Sequence, residues 1–258
     1  MPIELTPVTH GTLCHGHKWE ISDEDRLAEL IGLVALGQAR HVLKIQTTAS
    51  GITAPAPTKT AAKAAIAMLT VTGEPWHRDG WMFQVMSWIA AHKASPDSLL
   101  KAPQMTLADK GIDGLRVDID SATGKISSVV IFEDKATTNP RKTIREEVWP
   151  ELVHFESGAR DNVLVAELTA LAEAKPGLNV DQLIENVLWT RDRSFRISIT
   201  TDDSYATDAA REGLFKGFDV AVNGKEYRRG AETFLVPDMR KWMQSIASKA
   251  IASINKMI

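Results

Sequence analysis

Asp113, Glu133 and Lys135 have the side-chain types and the spacing to do chemistry together. They sit in GIDGLRVDIDSATGKISSVVIFEDKATTNPRK, residues 111–142. In a strand, side chains alternate, so Glu133 and Lys135 share one face and Asp134 takes the other. The turn SATGK joins this strand to the preceding one, with Gly124 where a positive φ is tolerated. Antiparallel pairing across that turn brings Asp113, at the outer end of the first strand, beside Glu133, at the outer end of the second. Two carboxylates a few ångströms apart repel each other unless something neutralises them. A hard divalent cation does so: Mg²⁺ takes oxygen ligands, often one or two carboxylates plus a substrate phosphate, with Mn²⁺ as the alternative. Asp113 and Glu133 are therefore the candidate metal ligands. A protonated lysine is no ligand, but it can orient a metal-bound water and stabilise charge on phosphate oxygens. The set is equipment for phosphodiester hydrolysis. The plain alternative is an ion pair between Glu133 and Lys135 on a solvated edge, worth about 0–1 kcal/mol. Asp113 would then be a turn residue beside Gly111 and Gly114.

The elements that must position these residues are legible in outline. The run ISSVVIFEDKAT reads as a strand whose β-branched residues suggest burial on both faces. MTLADKGIDGLRVDID reads as extended structure before it. Residues 78–94 form a helix, with Trp81, Val85, Trp88 and Ile89 on one apolar stripe. Trp76, Trp81 and Trp88 are read as core rather than base-stacking residues. A long helical region over 142–174 is expected to bend or restart at Pro150. NVDQLIENVLWTR is a further helix, SFRISITT a strand, and DMRKWMQSIASKAIASINKM an amphipathic C-terminal helix. Asn223-Gly224 suggests a hairpin. SPDSLLKAPQ is read as a loop. Residues 1–20 are read as irregular, and SDEDRLAELIGLVALGQARHVLK as one helix capped by Ser22. Helices, a strand cluster, then helix, strand and helix make an α/β or α+β chain: a small mixed β-sheet flanked by helices, with an extra helical N-terminal region.

Composition narrows the setting. The chain has 258 residues, 44% hydrophobic and 24% charged, as a folded globular protein does. The net charge of −3 excludes a basic coat over the whole surface but not a local basic groove. Cys14 is the single cysteine, which excludes a disulfide framework and suits a cytoplasmic setting. Cys14, His15 and His17 are a weak metal set. No signal peptide or membrane span is evident, and no GxxxxGK[ST] phosphate loop is present. Asp118, Asp120 and Asp134 are expected to face solvent. Arg141, Lys142 and Arg145 open a helix, where cations are unfavourable; phosphate contact and plain solvation both remain open.

GIDG, the following strand and turn, and FEDK together resemble the PD-(D/E)XK nuclease superfamily, with its restriction-endonuclease-like fold. In that superfamily an Asp on one strand and an acid-x-Lys on the next form the metal site, and Asp113, Glu133 and Lys135 match those positions. Members often carry a Glu on the preceding helix, four residues after a glycine. Here Gly80 is followed by Gln84, which can offer an amide oxygen but no charge. The resemblance covers about residues 76–220. It implies residues 76–258 as the nuclease-like domain and 1–75 as a helical N-terminal extension. It also implies a Mg²⁺-dependent endonuclease, DNA favoured over RNA as substrate, with Asp113, Glu133, Lys135 and Gln84 as catalytic residues. An effector subunit of a bacterial antiviral defence system, held by a helicase or ATPase partner, is the setting it suggests. The rival reading is a non-catalytic module of the same fold that binds a protein partner or nucleic acid.

Overall fold

The computed structural model describes residues 1–47, 53–71, 73–105, 107, 111–120, 126–175, 178–189 and 193–258. The turn SATGK lies outside the described residues. Among the described residues the sheet has seven strands: β1 (Ile3–His10), β2 (Cys14–Ile21), β3 (Leu99–Leu100), β4 (Gly114–Ile119), β5 (Ile126–Lys135), β6 (Arg193–Thr201) and β7 (Arg229–Leu235). Their order is β1-β2-β7-β6-β5-β4-β3. β5, β6, β7 and β2 run parallel; β4 is antiparallel to β5, β3 to β4, and β1 to β2. The chain is thus a mixed α/β structure, as expected, but the N-terminal region begins with strands.

That is the first correction. Residues 1–20 are a hairpin, not irregular, and β2 joins the main sheet through β7. Pro7 disguises β1, because proline cannot donate to a ladder; at the edge of a sheet it is tolerated. The expected Asn223-Gly224 hairpin does not form. The segment leads instead into β7, which pairs in parallel with its neighbours on both sides. The expected loop SPDSLLKAPQ contains the short strand β3, which pairs with β4.

Helices cover both faces. On one face lie α1 (Glu24–Ala35), α2 (Ala39–Thr47), α3 (Lys59–Leu69), α4 (Trp76–Ala94) and the C-terminal α11 (Met239–Asn255). Their apolar sides form one core with Trp19, Phe83 and Phe234. On the other face lie α5 (Pro140–Thr143), α6 (Trp149–Ser157), α7 (Asp161–Glu173), α8 (Val180–Trp189), α9 (Asp208–Phe215) and α10 (Phe218–Ala221). Leu152, Leu164, Leu168 and Phe215 pack there against Ile131, Phe195 and Ile197. Each such fully buried side chain contributes about 1.5–3 kcal/mol of transfer free energy. β5 is buried from Val129 to Asp134 and β6 throughout, so the reading of VVIF as buried on both faces holds.

Two helix expectations change. Asp23, not Ser22, caps α1 by accepting from the Arg26 amide at 2.8 Å. The helix stops at Gly37, whose φ of +76° allows Gly37 N–H to reach Val34 O and Gln38 N–H to reach Leu33 O. The region 142–174 restarts not at Pro150 but at Gly158, with φ +87°. Pro150 acts differently: a π-helical turn at Ile144–Val148 precedes it. Pro150 has no N–H and its ring crowds the carbonyl four residues back, and a wider turn relieves both. Among the described residues no helix is long and apolar enough to cross a membrane.

Candidate active site

The β4–β5 register sets Gly114 opposite Phe132, which carries the chain just before β4 to the end of β5. Gly114 is needed there: a Cβ would stand 2.5 Å from the Phe132 ring. Asp113 therefore meets Glu133 and Lys135 at the edge formed by the C-terminal ends of the parallel strands, as the hairpin argument requires. α4 brings Gln84 to the same point.

The contacts are specific. Gln84 Nε2 donates to Asp113 Oδ1 at 2.6 Å, and the Asp134 backbone N–H donates to Asp113 Oδ2 at 2.9 Å. Lys135 Nζ lies 2.7 Å from Glu133 Oε1. Glu133 is buried, and burial pushes its carboxyl up to about 8; Asp113 adds to the rise and Lys135 opposes it. Burial also raises Asp113, against the pull of Lys135, the Asp134 amide and Gln84. Burial alone would lower the Lys135 ammonium, but Glu133 and Asp113 outweigh it and the group is held above its ordinary value.

Asp134 departs from the expectation. It does point to the face opposite Glu133, yet that face is covered by α4, so Asp134 is buried rather than solvated. Its Oδ1 accepts from Ser87 Oγ at 2.7 Å. Burial pushes it up to about 7, opposed by the nearby Arg196 guanidinium. Ser87, Ser198, Arg196 and Asp134 are the site residues that sequence reasoning missed. One signal was present: Gln84 and Ser87 are the polar residues, at i and i+3, of the otherwise apolar run 80–91 of α4, and such residues share a face.

A cleft of about 200 Å³ opens onto this edge, walled by Trp76, Trp81, Gln84, Asp113, Asp134 and Lys135 among others. Glu133 is not among the lining residues, but Lys135, which is, pairs with it. Trp81 and Trp88 are core, but Trp76 is 50% exposed at the cleft, against the reading of all three as core. Trp81 Nε1 donates to Gln104 O at 2.6 Å.

The other candidates resolve more plainly. Arg141 Nη1 donates to the carbonyls of Leu214 and Lys216, closing the end of α9. Lys142 and Arg145 are exposed and lie near Glu146 at 3.8 and 3.6 Å. Asp118 is half-buried and engaged by Ser98 at 2.5 Å and Arg116 at 3.0 Å, whereas Asp120 is exposed. The Cys14 thiol is buried and pushed up to about 12 by that burial, which makes it a poor ligand. Among the described residues no three His, Cys, Asp or Glu side chains converge closely enough to hold a metal by themselves. A cation at Asp113 and Glu133 would have two carboxylates, with water and substrate completing its shell. That donor set fits Mg²⁺. No family model, curated protein or solved structure matches the chain.

Proposed function

We propose that the chain is a metal-dependent nuclease of the PD-(D/E)XK kind, acting on DNA in preference to RNA. One observation carries this: Asp113, Glu133 and Lys135 converge at one sheet edge, where burial, with Asp113 adding to it, pushes Glu133 up to about 8 against the pull of Lys135. An arrangement that leaves an acid so poorly compensated is suited to a divalent cation. Asp113 and Glu133 would hold Mg²⁺ or Mn²⁺, which when bound lowers the pKa of water and polarises phosphate oxygens. Lys135 holds a positive charge beside the acids and at the cleft wall, where it can orient water and balance a phosphate. Gln84 is a positioning residue: its amide N–H holds Asp113 rather than offering a ligand oxygen. The helix before β4, and the helices and parallel strand β6 after β5, have the order that the resemblance implies. A defence-effector role with a helicase or ATPase partner follows from the resemblance alone.

The test is a cleavage assay on single- and double-stranded DNA and RNA with Mg²⁺ and with chelator. Metal-dependent cutting is expected. Glu133→Ala and Lys135→Ala should each slow it at least about 100-fold, as loss of one transition-state electrostatic contact does. Wild-type rates in both variants would sink the assignment. A second reading, a non-catalytic binding module, is favoured by the same contacts in another light: Gln84 and Lys135 already partner Asp113 and Glu133 without a metal. Mg²⁺ titration by calorimetry separates the two, since only the nuclease should bind the ion and lose it in Asp113→Ala.

A further inference from the structure

Parallel strands are normally buried on both faces by apolar side chains. At their N-terminal ends, β5, β6, β7 and β2 break this rule on the face toward α4. There α4 presents only Ala90, Ala91 and Ala94, and a cleft of about 360 Å³ lies between helix and sheet. Its floor carries polar side chains beside the apolar Val130. Ser128 and Ser194 stand on it, and the Ser194 hydroxyl, in a residue only 9% exposed, has no hydrogen-bond partner among the described residues.

The charges of this cleft are unequal. Arg196 is buried between Phe132, at 4.4 Å from the ring centroid, and Trp19, at 5.6 Å. Among the described residues its Nη atoms donate only to the Ser87 carbonyl, at 3.4 and 3.3 Å. Among the described residues Glu232 is the one acid of the lining, and it is already engaged: His17 Nδ1 at 3.0 Å, Trp19 Nε1 at 2.7 Å and Arg196 Nε at 3.6 Å. Arg116 uses Nη1 on Ser95, at 3.2 Å, and Nε beside Asp118, at 3.0 Å, and Nη2 has no hydrogen-bond partner among the described residues. His15 and Tyr227 stand exposed among the lining residues.

We propose that this cleft binds a small phosphomonoester of mononucleotide size, its phosphate on Arg116, Ser128 and Ser194 and its ring against Tyr227 and His15. The cleft lies within the usual size range of small-molecule sites. Guanidinium forks and hydroxyls are the standard recognition set for phosphate. Arg196 supplies a fixed positive floor beneath it. The cleft sits at the strand ends opposite to the acid cluster, so the inference does not depend on nuclease activity.

Calorimetric titration of the full chain in chelator tests it, with nucleoside 5′-monophosphates, inorganic phosphate and neutral nucleosides as probes. At least one monophosphate should bind saturably, and more tightly than inorganic phosphate or the matching nucleoside. Arg116→Met should weaken it about 10-fold or more, as loss of a charge-assisted contact does. Ser194→Ala, too small a change to threaten folding, should weaken it by a smaller factor, and Glu133→Gln should leave it unchanged. Three outcomes would overturn the proposal: no saturable binding of any monophosphate, equal binding of the matching nucleoside or of free phosphate, or unchanged affinity in both Arg116→Met and Ser194→Ala.

Discussion

The two buried charge clusters on this sheet are built from similar residues and balanced differently. At the C-terminal ends of the strands, Asp113, Glu133 and Asp134 face Lys135 and, from behind, Arg196. The acids outnumber the cations, and burial lifts Glu133 to about 8 and Asp134 to about 7. A few residues lower, Glu232 is shared by His17, Trp19 and Arg196, so each of its oxygens has a donor. The lower cluster is complete as it stands; the upper one is short of positive charge. A fold selected only for stability has no reason to keep the second arrangement, whereas functional sites are where such perturbed groups gather.

Arg196 is the residue both clusters share, so its removal should have the largest effect. Arg196→Ala leaves Glu232 and Asp134 buried with less compensation and strips a cation from between two aromatic rings. Breaking one side of a buried ion pair costs about 3–5 kcal/mol. Urea unfolding followed by circular dichroism should show a loss of that order. A loss under about 1 kcal/mol would mean the two clusters are not joined through this side chain.

The upper cluster alone should make stability depend on pH. The Glu133 carboxyl is raised in the folded protein, to about 8, from an ordinary 4.5. Between those values the folded state binds more protons than the unfolded state, so stability falls as pH rises. Asp113 and Asp134, raised in the same direction, steepen the fall. In chelator, denaturation midpoints should drop from about pH 5 to pH 8. Glu133→Gln should flatten that slope and be more stable than wild type at pH 8 by about 2 kcal/mol. Adding Mg²⁺ at pH 8 should recover part of the loss in wild type only. Stability that is flat or rises over this range would show that the acids are adequately neutralised by protein alone.

Gln84 gives a smaller and more pointed effect. Its N–H favours the ionised form of Asp113. Gln84→Ala should lower cleavage about 10-fold, the size of one hydrogen bond to a charged group. It should also move the acidic limb of the pH–rate profile upward, because Asp113 then ionises at higher pH. A fall in rate with no movement of that limb would mean Gln84 serves the helix rather than the carboxylate.

How much of this was legible in the sequence follows from the range of the forces involved. The Asp113, Glu133 and Lys135 convergence needs only strand alternation and one antiparallel pairing, and both are local. Burial of β5 follows from its own composition. Asp134 was misjudged because alternation tells which face a side chain takes, not what covers that face; Ser87, on α4, lies 47 residues upstream, and only packing brings it to Asp134. Arg196 and Glu232 were invisible for the same reason, their partners Trp19 and His17 lying on β2. β1 and β2 were missed through Pro7, a local signal that an edge position overrides. Helix ends at Gly37 and Gly158 obey a local rule, and the apolar periodicity on either side simply drew attention away from them.

The smallest effects should come from the basic residues near the upper site. Lys142 and Arg145 stand on the surface, 3.8 and 3.6 Å from Glu146. Exposed pairs of this kind contribute about 0–1 kcal/mol, so each alanine variant should leave the unfolding midpoint nearly unchanged. Nucleic-acid affinity distinguishes what these cations do. If they touch the phosphate backbone, each substitution should reduce the salt dependence of binding by about one unit of slope, uniformly across sequences. An unchanged slope in both variants would confine the nucleic-acid contact to the cleft itself. The two proposed sites would then differ in kind: the acid cluster would meet phosphate through a cation, and the lower cleft would meet it directly through Arg116.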